Sequence, residues 1–137
     1  MFRWVTFALL LTMVAGCSPE IGTPEGAYRL YLNSLAHGRL REAFDLLDSA
    51  SREGIPQIEG NPPVADPFER FVALMGFGES GITPLSPATV EKANPRRKAL
   101  SGDQADVEVD TPQGSPAVIR MVREGVGWKV HLDLRPR

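Results

Sequence analysis

The stretch Val126-Gly127-Trp128-Lys129-Val130-His131-Leu132-Asp133-Leu134, close to the end of the chain, decides the fold. Apolar and polar residues alternate along it, so that Trp128 and Val130 lie on one face while Lys129 and His131 lie on the other. This period of two is typical of a β-strand with one face in the core and one in solvent. The stretch therefore predicts the last strand of an antiparallel sheet, with an apolar face made of Val126, Trp128, Val130, Leu132 and Leu134.

The preceding residues predict two further strands of the same kind. Ala105, Val107 and Val109 alternate with acidic residues, and residues 117–122 alternate in the same way. Glycine- and proline-containing turns at 111–116 and 124–127 separate the strands, which predicts an antiparallel meander. Its polar face collects charges that can pair across strands as a solvated ladder or, alternatively, form an acid–base cluster around a histidine: Asp106, Glu108, Asp110, Arg120, Lys129, His131 and Asp133.

A weaker pattern from Thr89 to Ala93 predicts an earlier strand. The basic cluster Pro95-Arg96-Arg97-Lys98 follows it. This cluster is interpreted as a solvated edge or turn, and contact with anionic lipid headgroups is the alternative.

The N-terminal half carries helical signals instead. Thr23-Pro24-Glu25 combines a capping hydroxyl, a first-turn proline and an acidic residue, so a helix is predicted from there to about His37. A second helix is predicted over residues 39–50, and a third from Asp66-Pro67 to near Gly76. The polar, proline-rich segment 51–65 is a lid or a connector. Three faces of apolar residues at helical spacing support these helices: Ala27, Leu30, Tyr31, Ser34 and Leu35; Leu40, Ala43, Phe44, Leu47 and Ala50; and Phe68, Phe71, Val72 and Met75.

Together these patterns predict an α+β fold in which N-terminal helices pack on a curved antiparallel sheet. Tyr31, Phe44, Phe71 and Trp128 are the large residues expected in its core or in a pocket. Trp128 is expected between the sheet and the helical hairpin.

The first residues of the chain predict a secretory signal. Arg3 precedes an apolar run from Val5 to Val14, and Ala15-Gly16 supply small residues before Cys17, the only cysteine. The run is too short to span a bilayer, which takes about 20 residues. Val14-Ala15-Gly16-Cys17 resembles the lipobox of bacterial lipoproteins, which implies cleavage between Gly16 and Cys17 and fatty acylation of Cys17. The alternative is a buried helix with a free cysteine, which Ser18-Pro19 would break.

This interpretation divides the chain into a signal peptide (1–16), a lipidated tether (17–22) and one domain (23–137). Removing 16 of the 137 residues leaves 121, and the loss of one arginine leaves 14 basic against 17 acidic residues, a net charge of about −3. Such a domain has no electrostatic reason to bind nucleic acid. Because lipidation uses the sole thiol, no disulfide, cysteine metal site or cysteine nucleophile is expected.

Other motifs carry little chemistry. Gly76, Gly78 and Gly81 have the spacing of a dinucleotide-binding turn, but they follow a helix where that motif follows a strand. Asp45 falls off its helix's apolar stripe, His37 lies at a helix end, and His131 lies on the polar face of its strand. No metal-ligand spacing occurs, so we predict no catalytic residue, metal or cofactor.

The helical hairpin from Thr23 through Leu47 and the final hairpin, with Arg123-Glu124 leading into Gly127-Trp128-Lys129-Val130, resemble small exported proteins of the nuclear transport factor 2-like superfamily. This resemblance implies a cone in which helices pack against the concave side of the sheet, often around an apolar pocket. Some members are isomerases or dehydratases with a pocket Asp or His.

The sequence thus favours a lipoprotein of the bacterial cell envelope, held to the membrane through Cys17. Ser18 after the cysteine favours the periplasmic face of an outer membrane, where the organism has one. The expected role is non-catalytic binding of a small apolar ligand or an envelope protein, or scaffolding. The alternative is a small cone-fold enzyme, for which curvature would have to bring Asp106 or Asp133 toward the pocket.

Overall fold

The computed structural model describes residues 19–56, 64–75 and 86–133. In these ranges the protein is α+β, with helices packed against one four-stranded antiparallel sheet. The helices are α1 (Pro24–Ala36), α2 (Leu40–Asp45), α3 (Ser49–Glu53), α4 (Pro67–Leu74) and α5 (Pro87–Ala93). The strands are β1 (Arg96–Ser101), β2 (Gln104–Val109), β3 (Ala117–Glu124) and β4 (Gly127–His131), and they pair in that order.

The predicted meander is confirmed and gains one strand. Ala105 pairs with Met121, and Met121 pairs with Val130, so the apolar rows of β2, β3 and β4 share one face. Trp128 and Val130 are buried and Leu132 is half-buried, as the alternating pattern predicts. Val126 is the exception, since it lies in the β3–β4 turn and is 80% exposed. Leu134 lies outside the described residues.

The strand predicted from Thr89 to Ala93 is wrong, because these residues belong to α5. The Ser86 hydroxyl accepts a hydrogen bond from the Thr89 backbone N–H, and Pro87 occupies the first turn. Cap and proline together start a helix despite the β-branched residues that follow. Asn94, at φ 43°, ends it and turns the chain into β1. The basic cluster therefore lies on an edge strand of the sheet.

α1 matches its prediction closely. The Thr23 hydroxyl accepts a hydrogen bond of 3.1 Å from the Gly26 N–H, and Gly38 takes a left-handed conformation after the helix, at φ 70°. The buried face is wider than the predicted stripe, because Tyr28 and Leu32 are buried as well, and Leu30 is only half-buried.

The single helix predicted over 39–50 is wrong, because it breaks after Asp45 and resumes at Ser49. The break forms a parallel bridge to β4. The Val130 N–H donates to the Leu46 carbonyl at 2.7 Å, and the Asp48 N–H donates to the Val130 carbonyl at 2.9 Å. These tertiary hydrogen bonds satisfy backbone groups that a continuous helix would have used itself. Ala50, predicted to face inward, is exposed as a result.

α4 begins as predicted, with the Asp66 carboxylate accepting from the Phe68 N–H. Phe44 contacts Phe68 and Phe71 at ring-centroid distances of 5.5 and 5.6 Å, which joins α2 to α4. Residues 57–63 of the segment 51–65 and the glycines at 76, 78 and 81 lie outside the described residues. Residues 51–53, placed in that segment by the sequence, belong to α3.

The predicted tether is partly folded. Pro19–Gly22 forms a 3-10 turn that contacts α1 and β4. Ile21 packs so closely on Gly127 that a Cβ at this glycine would lie 2.9 Å from the Ile21 Cδ1. Gly127 is thus required here for close approach. Among the described residues, no helix has the length and apolar character needed to cross a bilayer.

Candidate functional site

A cavity of about 450 Å³ lies between α1 and the ends of β3 and β4 that are remote from their connecting turn. Its walls combine apolar and polar side chains. The residues that line it are Tyr28, Tyr31, Asp106, Val118, Ile119, Arg120, Val130, His131, Leu132 and Asp133.

Two tyrosines of α1 form the helical wall of this cavity. Their spacing of three residues puts them on one helix face, and their rings stack at 6.0 Å between centroids. Tyr28 is 9% exposed and Tyr31 is 4% exposed, and neither hydroxyl is among the fully buried, unpaired polar atoms of the described residues. Burial raises the pKa of both phenols, and the neighbouring Tyr28 raises that of Tyr31 further. Both hydroxyls therefore stay neutral and can donate and accept at ordinary pH.

The lining also includes one row from the polar face of the sheet, the face turned away from α1. Asp106 pairs with Arg120 across β2 and β3, and Arg120 pairs with His131 across β3 and β4. The Arg120 Nε lies 3.9 Å from the Asp106 Oδ1, and both side chains are well exposed. Such a pair is loose and contributes little to stability, so both groups are free to reorient toward a ligand.

His131 is held by a buried carboxylate, Asp48. Its Nδ1 lies 2.7 Å from the Asp48 Oδ2, while the Asp48 Oδ1 accepts from the Ser51 N–H at 3.0 Å and caps α3. Asp48 is only 3% exposed. Because an ionised carboxylate can only accept, Nδ1 is the donor, and in the neutral ring Nε2 is left as the acceptor. This arrangement fixes both the position and the tautomer of a histidine that lines the cavity.

A second cavity of about 540 Å³ lies on the other side of Tyr28, between α1, α5 and the end of β2. Its described lining is more apolar than that of the first and includes Leu32, Val90, Ala93 and Val109. It holds no histidine. Thr89, Lys92, Asp110 and Thr111 also line it, but only the first cavity brings two tyrosines and a histidine into one lining.

Of the four residues predicted to lie in a core or a pocket, one lines a cavity and the other three lie in the core. Tyr31 lines the first cavity, whereas Phe44 and Phe71 lie in the aromatic cluster with α4. Trp128 is 2% exposed, and the Arg123 Cζ lies 4.8 Å from the centroid of its ring. The predicted lipidation site, Cys17, and the cleavage residue Gly16 lie outside the described residues.

The titratable residues that the sequence analysis considered fall into two groups, those exposed on helices and those that line the first cavity. Asp45 is exposed on α2, and its backbone carbonyl, not its side chain, accepts from the Lys129 Nζ at 2.8 Å. His37 is exposed at the end of α1 and bonds the Asn33 carbonyl. Asp106, His131 and Asp133, by contrast, all line the first cavity.

Two residues of the site were missed from the sequence. Tyr28 could have been found, because the spacing Tyr28-x-x-Tyr31 puts two phenols on one helix face. Asp48 is of a residue type that favours the N-cap position, but the longer predicted helix concealed it. Across the described ranges, no group of three or more His, Cys, Asp or Glu residues could hold a metal ion.

No protein-family model matches the chain, and neither curated proteins nor solved structures include a significant match to it.

Proposed function

We propose that this protein is a lipoprotein of the bacterial cell envelope whose domain binds a small, largely apolar ligand in the first cavity. The observation that carries the proposal is the pair of largely buried tyrosines of α1 that line a cavity of about 450 Å³. Cavities of about 300 to 1,000 Å³ with apolar walls and a few polar groups are the usual form of small-molecule sites. Each phenol combines an apolar ring with a hydroxyl that can donate or accept a hydrogen bond, so the pair suits a ligand of mixed character.

The same observations support the finer fold proposal, a cone of the nuclear transport factor 2-like type. α1 packs across the sheet, and the cavity opens between this helix and β3 and β4. That position corresponds to the pocket that the resemblance implies.

The lining indicates what the ligand looks like. Ile119, Val130 and Leu132 supply apolar surface on the face of the sheet toward α1, and the two phenols are neutral. A ligand with an apolar ring or chain and one or two carbonyl or hydroxyl groups would satisfy both sides. Arg120 and Asp106 lie at the more exposed part of the lining and could pair with a polar end group.

Replacing both tyrosines with phenylalanine is therefore expected to weaken binding by about 30- to 150-fold, because each lost hydrogen bond costs about 1 to 1.5 kcal/mol. The ligand is first identified by mass spectrometry of molecules that co-purify with the full-length protein. Its affinity is then measured for Tyr28→Phe, Tyr31→Phe and the double variant. Ser101→Ala, which removes an exposed hydroxyl at the other end of the sheet, is the control. Unchanged affinity in the double variant would show that the phenols do not bind the ligand.

The anchor is tested separately at Cys17. A labelled fatty acid such as palmitate is expected to be incorporated into the wild-type protein but not into Cys17→Ala, which should also lose its association with membranes. The motivation is the lipobox-like Val14-Ala15-Gly16-Cys17 after an apolar run. Label retained by Cys17→Ala would exclude this anchor.

A specific contact favours the enzyme alternative as the second candidate. His131, oriented by the buried Asp48, could act as a general base on a ligand held by the tyrosines. Turnover of the co-purifying ligand that His131→Ala abolishes, with binding retained, would favour the enzyme. Binding without turnover in the wild-type protein would favour the non-catalytic role.

A further inference from the structure

One end of the sheet carries exposed apolar side chains. Three large apolar residues are exposed in the described part of the chain, and two of them, Leu100 at 51% and Val126 at 80%, lie at the end formed by the β1–β2 and β3–β4 turns. The third, Val118, lines the first cavity at the opposite end. Leu100 is level with Val130 in the sheet, so three strand spacings of about 4.8 Å and about four residues along β4 put Leu100 and Val126 roughly 19 Å apart. We call this end, with Leu100, Arg123 and Val126, the turn-end surface.

Arg123 adds a cation to the turn-end surface. Its guanidinium lies over the Trp128 ring. Among the described residues, no carboxylate oxygen lies within 4.0 Å of the guanidinium nitrogens. The nearby Glu124 is engaged elsewhere, since its carboxylate accepts from the Ser49 N–H at 2.9 Å and from the Ser49 hydroxyl at 2.8 Å. An arginine beside exposed apolar groups suits the boundary between lipid headgroups and acyl chains.

The N-terminal 3-10 turn docks at the same end. Ile21 packs directly on Gly127, the first residue of β4. Only Cys17 and Ser18 separate Pro19 from the proposed lipid. With about 2 Å per residue in the 3-10 turn and at most about 3.6 Å per extended residue beyond it, Cys17 lies within roughly 11 Å of Ile21. Acyl chains on Cys17, if it is lipidated as proposed, would then enter the membrane close to the β3–β4 turn.

We propose that the turn-end surface rests on the lipid bilayer, with Val126 at the headgroup boundary and Arg123 beside lipid phosphates. This proposal rests on the proposed lipidation of Cys17. It also orients the site, because β4 runs away from this end toward the first cavity, about 16 Å distant over five residues. The cavity then opens away from the anchoring membrane, so its ligand arrives from the aqueous side.

The sole native thiol makes a sharp test possible, since an introduced cysteine is the only one free once Cys17 is acylated. The full-length lipidated variants Val126→Cys and Gln113→Cys, each labelled with an environment-sensitive fluorophore, are reconstituted into vesicles of phosphatidylethanolamine and phosphatidylglycerol. Quenching by a lipid spin-labelled near the headgroup is compared with quenching by aqueous iodide. Gln113 is the matched control, because it lies in the exposed β2–β3 turn at the opposite end, roughly 26 Å away along β3.

The lipid quencher is expected to act about threefold more strongly at position 126 than at 113, because interfacial groups enter the bilayer by about 5 to 10 Å. Iodide should show the reverse order. Adding Ile21→Gly, which removes the contact with Gly127, should reduce the difference. Equal lipid quenching at both positions, or stronger quenching at 113, would overturn the proposed orientation. Shielding of position 126 from both quenchers would indicate a protein contact there and would overturn it as well.

Failure of the anchor itself is distinguishable from failure of the orientation. Vesicle flotation is measured on the same samples before any quenching. Protein that does not float with the vesicles contradicts lipidation at Cys17, whereas protein that floats but shows the wrong quenching order contradicts only the turn-end surface.

Discussion

Replacing Trp128 with alanine is expected to lower the free energy of unfolding by about 3 to 5 kcal/mol, the usual cost of removing a large aromatic side chain from a core. Trp128 is 2% exposed on β4, in a core shared by α1 and the sheet. The ring also supports Arg123 at 4.8 Å, and this contact would be lost. Chemical denaturation followed by far-UV circular dichroism measures the change without needing the tryptophan signal.

Val126→Ala is the matched control for this change. Val126 belongs to the same hairpin, only two positions away, but it is 80% exposed. Its truncation should alter the unfolding free energy by less than about 0.5 kcal/mol, as is usual for surface positions. Comparable effects of the two substitutions would mean that the face of β4 bearing Trp128 is not the core.

Asp48→Ala is expected to cost about 2 to 4 kcal/mol, since it removes both a helix cap and a hydrogen bond between an ionised carboxylate and a histidine. The buried Asp48 carboxylate makes both hydrogen bonds, with the Ser51 N–H through Oδ1 and with the His131 Nδ1 through Oδ2. Asp48→Asn keeps an oxygen for the cap and should lose less. Ligand affinity in the first cavity should also fall, because His131 is no longer held in place.

Asp45→Ala is the control, three residues earlier in the chain. The Asp45 side chain is exposed, and the contact that it makes with Lys129 goes through its backbone carbonyl, which alanine retains. We expect no measurable loss of stability. If Asp45→Ala and Asp48→Ala destabilised the protein equally, the loss would reflect removal of negative charge in general, and the described pair would not explain it.

Much of the fold could be predicted from short-range patterns. α1 and α4 carry complete start signals in Thr23-Pro24 and Asp66-Pro67, and β2 to β4 alternate clearly. These elements are encoded by neighbouring residues alone. Packing of the helices on the sheet then follows from the two apolar faces.

The errors fall where distant residues compete with local preference. The apolar spacing from Leu40 to Ala50 is helical, yet backbone hydrogen bonds from Val130 and Asp48 break the helix. Thr89 and Val90 are β-branched and favour a strand locally, but the Ser86-Pro87 start signal makes this segment a helix. The association of Asp48 with His131 spans 83 positions, so no local pattern could have shown it.

The candidate site was less predictable than the fold for a related reason. Periodicity correctly assigned His131 and Asp106 to the polar face of the sheet, but it could not show that this part of the sheet borders a cavity. Cavity walls depend on how α1 lies across the strands. Only the tyrosine pair leaves a local trace, in the spacing of Tyr28 and Tyr31.

The segment Leu46–Asp48, which bridges to β4, has a consequence for crowding. A lipid anchor concentrates proteins in two dimensions, and exposed strand edges then promote association between neighbouring molecules. Here the β4 edge is covered by the protein's own chain through the Leu47 bridge to Val130. The β1 edge carries Arg97 and Lys98, and its register shifts between Arg97 and Ala99. Charge and irregularity at one edge and self-pairing at the other thus protect the sheet from strand-to-strand aggregation, including at the local concentration that the proposed anchor would create.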